Sequence, residues 1–161
     1  MTVTRIISGA QTGADRGALE AAHDLGISRG GTAPLGWRAE DDEIPEWYRQ
    51  GMTQGPGAAY PARTRANVHN SDGTLIVSLG ELTAESGSML TGKLARSLGK
   101  PLLHMTIEKL EHPIGTALVR GWLEGRKIRT LNVAGPRESR EPGLQAATRA
   151  AIVRLLSEGR A

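Results

Sequence analysis

With 161 residues, 39% of them apolar, and 21 glycines, the chain can fill one hydrophobic core with many tight turns but not two comfortable domains, so 1–161 reads as a single domain. The absence of cysteine excludes disulfides, zinc thiolates and cysteine nucleophiles, and no signal-like segment or membrane-length apolar run occurs, which predicts a cytoplasmic protein with no membrane association. The net charge of +3 is split, with 7 Arg against 11 Asp and Glu up to Gly92 and 13 basic against 6 acidic residues from Lys93 onward; without interleaved aromatics this suits solvated helix faces or a small anionic ligand better than nucleic acid.

Taken in order, a strand over 4–8 leads through a glycine-rich turn to a helix over 13–25, where Ala18, Ala22 and Leu25 share a face. Thr12 and Asp15 have the spacing of a capping box, and Gly26 suits the helix end. A short second strand over 31–33 precedes the segment 34–60, which is longer than compact domains usually leave unstructured. It holds two of the three Trp and both Tyr, and reads as a lid, a subunit contact or an ordered surface loop. Then come a helix over 61–70, a strand over 74–78, a helix over 88–98 with Leu90, Leu94 and Leu98 on one face, and a strand over 101–105. A helix over 113–124, a strand over 129–134 and a helix over 142–157 with Leu144, Ala147, Ala151 and Leu155 aligned complete the pattern. Such alternation predicts an α/β, doubly wound, Rossmann-like domain: a mainly parallel five-stranded sheet, order 2-1-3-4-5, with helices on both faces.

Three strand-end turns could carry chemistry. In "IISGAQTGADRG", Gly9, Gly13 and Gly17 stand four residues apart where a buried strand meets a helix N-terminus. The unpaired amides and positive dipole end there make an anion cradle, with Arg16 in the first helical turn; packing alone also explains such glycines. The spacing is neither the dinucleotide fingerprint nor a P-loop. Ser86, Gly87 and Ser88 open the helix after the strand at 74–78 and offer amides and hydroxyls, or plain serine capping. If that strand lies beside the first, the two turns flank one crevice. Gly135, Pro136, Arg137 and Ser139 follow the last strand, Arg137 being the cation best placed to grip an oxyanion with its fork.

Catalytic candidates are few. His23, His69, His104 and His112 are dispersed without metal-ligand spacing, and His104 reads as a satisfied core residue. Asp15, Asp72 and the acidic run from Glu40 to Glu43 could include a base, as could Glu81 and Glu85. Arg63 and Asn67 are further polar residues that read as structural, and the "GISRG" string lies where a helix enters a strand, the wrong place for a nucleophile elbow. Trp122 fits a subunit contact or the core.

The strings "ISGAQTGADRGALEAAHDLGI", "AEDDEIPEWY", "RTRANVHNSDGTLIVS", "SGSMLTGKLARSLGKPLL" and "LNVAGPRESREPG" run from about Arg5 to about Leu156. Together they resemble the putative molybdenum carrier family, in a superfamily shared with the LOG phosphoribohydrolases and the DprA DNA-binding proteins. The resemblance implies a ligand site drawn from Gly9, Gln11, Thr12, Gly13, Arg16, Ser86, Gly87, Ser88, Gly135, Pro136, Arg137 and Ser139. It implies molybdate or molybdenum cofactor as cargo; the donor-rich strand-end turns, with no clear general base, fit a nucleotide-like phosphate compound as well and favour a binding or carrier protein over a catalyst. A LOG-like nucleotide phosphoribohydrolase and a DprA-like single-stranded DNA binder are the alternatives. The chain departs from the family where a Cys-Pro-Lys-Gly-Arg-like string is replaced by Ala33, Pro34, Leu35, Gly36, Trp37 and Arg38. It departs again where Ser-Gly-Gly-Thr becomes Ser86, Gly87, Ser88 and Met89, and where Lys93 takes the place of the LOG glutamate, which speaks against glycosidic hydrolysis by that route. Helix faces of this size often pair, so a homo-oligomer is expected.

Overall fold

The computed structural model describes residues 3–57, 60–82 and 87–157. β1 (Arg5–Ile7) buries both its isoleucines and turns into α1 (Ala14–Leu25), whose Ala14, Ala18, Ala21 and Ala22 are all buried. Gly26, left-handed at φ 67°, closes that helix by donating to the carbonyls of Ala22 and His23. The expected capping box is not formed. Gly13 is the N-cap with no side-chain cap bond, because the Thr12 hydroxyl is bound to Glu40 and the Asp15 carboxylate accepts from the Gln11 amide.

β2 (Ser28–Ala33) is longer than its apolar residues suggest, and the segment after it is folded. It forms an antiparallel hairpin, β3 (Arg38–Ala39) with β4 (Asp42–Glu43), then one helical turn, α2 (Glu46–Arg49), and β5 (Met52–Gln54). Ile44, fully buried against Ala10, Leu19 and Ala33, anchors this segment in a small second core. Its aromatic rings lie under cations: Trp47 under Arg29 at 3.8 Å, Trp37 under Arg49 at 4.9 Å and Tyr48 near Arg16 at 5.2 Å.

Next follow α3 (Tyr60–His69), β6 (Gly73–Ser78), α4 (Gly87–Ser97), β7 (Leu102–Thr106), α5 (Ile107–Glu111), α6 (Pro113–Gly125), β8 (Thr130–Ala134) and α7 (Leu144–Ser157). The main sheet has six strands, not five, and runs β5-β2-β1-β8-β6-β7 with every pairing parallel. β5 supplies the extra edge. The order departs from 2-1-3-4-5 because β8 inserts between β1 and β6, so the strands at 4–8 and 74–78 are not neighbours. Adjacency in sequence favours pairing consecutive strands, but Leu131 and Val133, fully buried with Ile6, Leu75 and Val77, require a central place for β8. Each such side chain contributes roughly 1.5–3 kcal/mol by leaving water.

The two sheet faces differ. α1, α6 and α7 cover an aliphatic face with Leu123, Leu144, Ile152 and Leu156. Under α3 and α4 the sheet presents Thr74, Asn132 and Thr32, with Asn132 donating to Thr74 and the Asn67 amide spanning the N–H and C=O of Thr32 at 2.8 and 3.0 Å. α4 turns Ser88, Thr91, Gly92 and Ala95 inward and leaves Leu90, Leu94 and Leu98 half-buried, reversing the face expected from its leucines. Trp122 packs on the main core. Among the described residues no helix is long and apolar enough to cross a membrane.

Candidate functional site

The carboxyl ends of β1, β8 and β6 lie side by side, so the turns after β1 and β8 meet, as a crevice at the strand ends requires. Gly13, at φ 86°, touches the second turn directly: a Cβ there would stand 2.4 Å from the Pro136 carbonyl oxygen and 2.8 Å from the Glu138 nitrogen. That closeness changes the role expected of the α1 N-terminus. The Gly13 amide donates to Gln145 Oε1 at 3.1 Å and the Ala14 amide to the Pro136 carbonyl at 3.4 Å, so protein groups already take these donors. Gly17 packs against α7 rather than the sheet, and Gly135 fits against the Val77 carbonyl and Ala14.

Gly9 is different, because its neighbours are charged side chains. A Cβ there would meet Arg63 Nη1 at 2.6 Å and Asp15 Oδ2 at 3.0 Å. Arg63, on α3, and Asp15, on α1, are 4% and 7% exposed. Burial raises the Asp15 carboxyl from 3.8 to about 6, against the opposing pull of Arg63, backbone N–H donors and Arg16. With Thr91, Asn132 and Gly135 they enclose a cavity of about 20 Å³, room for roughly one water.

A separate space of about 240 Å³ also has Arg63 in its wall, with Gln11, Pro34, Arg38, Glu40 and Arg137. Three guanidinium-bearing residues thus face one carboxylate. The Glu40 carboxylate, carried in by the hairpin, accepts from the Thr12 hydroxyl, the Ser139 hydroxyl and the Ser139 amide, the last at 3.3 Å. Those donors, Ser139 foremost, hold its carboxyl below the usual range. Two of the expected anion donors do converge, on an oxyanion the protein itself supplies.

Other expected contacts are committed elsewhere. Arg16 is 4% exposed and forks onto Asp41 at 2.6 and 2.9 Å while its Nε donates to the Ala10 carbonyl, so it braces the hairpin. The Gln11 amide donates to the carbonyls of Arg38 and Gly9. Ser86 and Glu85 lie outside the described residues. Gly87 is exposed at the start of α4, and the buried Ser88 hydroxyl has no hydrogen-bond partner. His104 is half-buried rather than a core residue; its Nε2 lies 2.7 Å from the Ser78 hydroxyl, and burial lowers its pKa. Asp72 accepts from the amides of Arg129 and Thr130, a structural role. Among the described residues no three His, Asp or Glu gather as metal ligands.

Arg63, Asp15 and Glu40 are the residues that the expected ligand set missed. Of these only Asp15 carried a signal, a carboxylate in the glycine-rich turn that leaves the buried first strand.

Residues 6–156 match the model of the circularly permutated YpsA SLOG family. Among solved structures, the crystal structure of "Putative molybdenum carrier protein" from Syntrophus aciditrophicus SB superposes with a TM-score of 0.88, at 39% sequence identity over 96% of this chain and 94% of that one. No curated protein matches the chain.

Proposed function

Because this chain belongs to the circularly permutated YpsA SLOG family, we propose that it is a binding or carrier protein whose ligand presents an oxyanion to the pocket between the β1 turn, the β8 turn and the hairpin. Molybdate, or the phosphate of molybdenum cofactor or of a nucleotide-like compound, is the cargo this chemistry fits. The molybdenum reading draws on the name of the Syntrophus protein. The observation that carries the proposal is the Glu40 carboxylate: Thr12 and Ser139 already hold an oxyanion through a backbone amide and two hydroxyls, beside Arg38, Arg63 and Arg137.

An incoming anion competes with Glu40 for those donors and brings charge of the sign that three guanidinium groups favour. At about 240 Å³ the pocket admits molybdate or a phosphate group, and the body of a larger ligand extends past the hairpin. Arg137 and Arg38 grip the oxyanion, Arg63 closes the inner wall, and Arg16 with Asp41 keeps the hairpin in register. Cytoplasmic residence and homo-oligomerisation belong to the same reading; gel filtration tests the latter.

Calorimetric titration with sodium molybdate, molybdenum cofactor and nucleoside monophosphates tests it. Saturable heat with at least one, lost in Arg137→Ala, is expected; no heat with any of them on folded protein refutes it.

One observation favours a second reading, a nucleotide phosphoribohydrolase. Asp15, with a carboxyl near 6 beside a cavity of water size, has the protonation behaviour of a general acid or base. Incubation with nucleoside monophosphates and chromatography for freed base decides it, absence of release being fatal. A single-stranded DNA binder fits less well, because Trp37 and Trp47 already lie against arginines and offer no open stacking platform.

A further inference from the structure

α6 packs inward through Val119 and Leu123 and turns a second apolar face to the outside. Ile114 is 74% and Leu118 51% exposed, and Ala117, Gly121 and Gly125 are exposed with them. Ile114, Leu118, Gly121 and Gly125 recur at four- and three-residue steps, so they form one uncharged seam along the helix, with half-buried Trp122 at its flank. Among the described residues the other large apolar side chains that stand exposed, Leu35, Trp47 and Leu79, lie singly on other segments.

Nothing inside the chain requires the glycines of this seam. A Cβ at Gly121 or Gly125 would meet nothing within 4 Å, whereas one at Gly115, on the buried side of the same helix, would stand 1.8 Å from the Lys109 carbonyl oxygen. Glycine in a helix interior is less stable than alanine, so Gly121 weakens α6 with no compensating contact in the single chain. Its use is to let another surface come close.

The order of the seam says which surface. Large side chains fill its amino-terminal half and glycines its carboxy-terminal half. A second α6 laid antiparallel sets Leu118 over Gly121 and Ile114 over Gly125, twice by symmetry, whereas a parallel copy stacks large on large and leaves glycine facing glycine. Charge follows the same order. Exposed Glu108, Lys109 and Glu111 precede the helix, and exposed Glu124, Arg126, Lys127 and Arg129 end or follow it, so a net negative end meets a net positive one only when the copies run in opposite directions.

We infer that this face joins two copies of the chain in an isologous dimer with antiparallel α6 helices at its centre. The inference rests on the homo-oligomer proposed above, whose interface it assigns, and does not depend on what the strand-end pocket binds. The 13-residue helix is about 20 Å long, a short seam that puts the interface among the smaller ones and the dissociation constant in roughly the micromolar range.

Sedimentation equilibrium of the whole chain from about 5 to 500 μM is the test, with urea midpoints to show that each variant is folded. A monomer–dimer equilibrium is expected, its dissociation constant raised about ten-fold or more by Leu118→Asp and likewise by Gly121→Leu. The second variant separates shape from mere stickiness, since an added leucine strengthens unspecific association but blocks the seat of Leu118. If Leu118→Asp does not fold, Gly121→Leu decides. The chain has no cysteine, so an oxidised mixture of Ile114→Cys and Gly125→Cys chains reports direction: the mixed disulfide should exceed the two same-variant species combined. A dimer that folded variants leave unchanged, tighter association in Gly121→Leu, or an excess of same-variant disulfides overturns the inference and leaves a homo-oligomer with another interface. A wild type that stays monomeric to about 500 μM overturns both.

Discussion

Replacing Asp15 by Asn changes how the fold responds to pH, and the size of the change follows from one buried carboxyl. Asp15 is 7% exposed, and burial moves its pKa from 3.8 to about 6. Below pH 4 the group is protonated in both folded and unfolded chains and favours neither. Between pH 4 and 6 the unfolded chain releases the proton and the folded one retains it, so the wild type loses stability as pH rises and levels off above the folded pKa. A shift of about 2 units corresponds to about 3 kcal/mol in total, most of which falls between pH 4 and 7.5. Asn cannot ionise, yet it still offers an oxygen to the Gln11 amide that Asp15 now accepts from at 3.3 Å. Urea unfolding followed by tryptophan fluorescence, at several pH values in that window, gives the difference between variant and wild type. That difference should move in favour of Asp15→Asn by about 2–3 kcal/mol as pH rises, whatever its offset at pH 4. Parallel pH profiles, or a wild type that gains relative to the variant, would show that Asp15 is solvated or fully paired and would refute the reasoning.

Glu40→Gln removes the charge that holds the donors of Thr12 and Ser139, so molybdate or phosphate should bind about 3- to 10-fold more tightly by calorimetry, with unchanged or weaker binding counting against competition. Asp41→Ala leaves Arg16, 4% exposed, without its forked partner, and should lower stability by about 1–2 kcal/mol in urea, the half-exposed carboxylate limiting the loss. Gly135→Ala puts a methyl 2.1 Å from the Val77 carbonyl and 2.6 Å from the Ala14 side chain, and should cost about 3 kcal/mol or more in the same assay. Oxyanion binding near Asp15 should weaken as pH rises through about 6, because ionised Asp15 repels the ligand; affinity that climbs over that range contradicts an anion seated beside it.

The glycine turn after β1, the helices flanking it and the parallel sheet were legible because hydrophobic period and helix-end chemistry are local signals. The position of β8 was not, since strand order depends on pairing across the whole chain. A local hint existed in "TLNVA", where Asn132 between Leu131 and Val133 marks a central strand with one polar buried face. Thr12, Gly135, Arg137 and Ser139 gather at the strand ends as expected, but their bonding partners could not be read from spacing. Glu40 lies 28 residues from Thr12 and 99 from Ser139, and only the folded hairpin brings the three together. Arg63 and Asn67 read as structural because "RTRANVH" carries no marker of burial; α3 packing on a polar face makes Arg63 an inner wall.

The central seat of β8 also bears on how the molecule is made. Without residues 130–134, β1 and β6 would each have an unpaired flank and the sheet would divide into β5-β2-β1 and β6-β7. Open strand flanks of this kind invite pairing with other nascent chains. Joining the two halves is a long-range pairing, the kind of contact that slows folding.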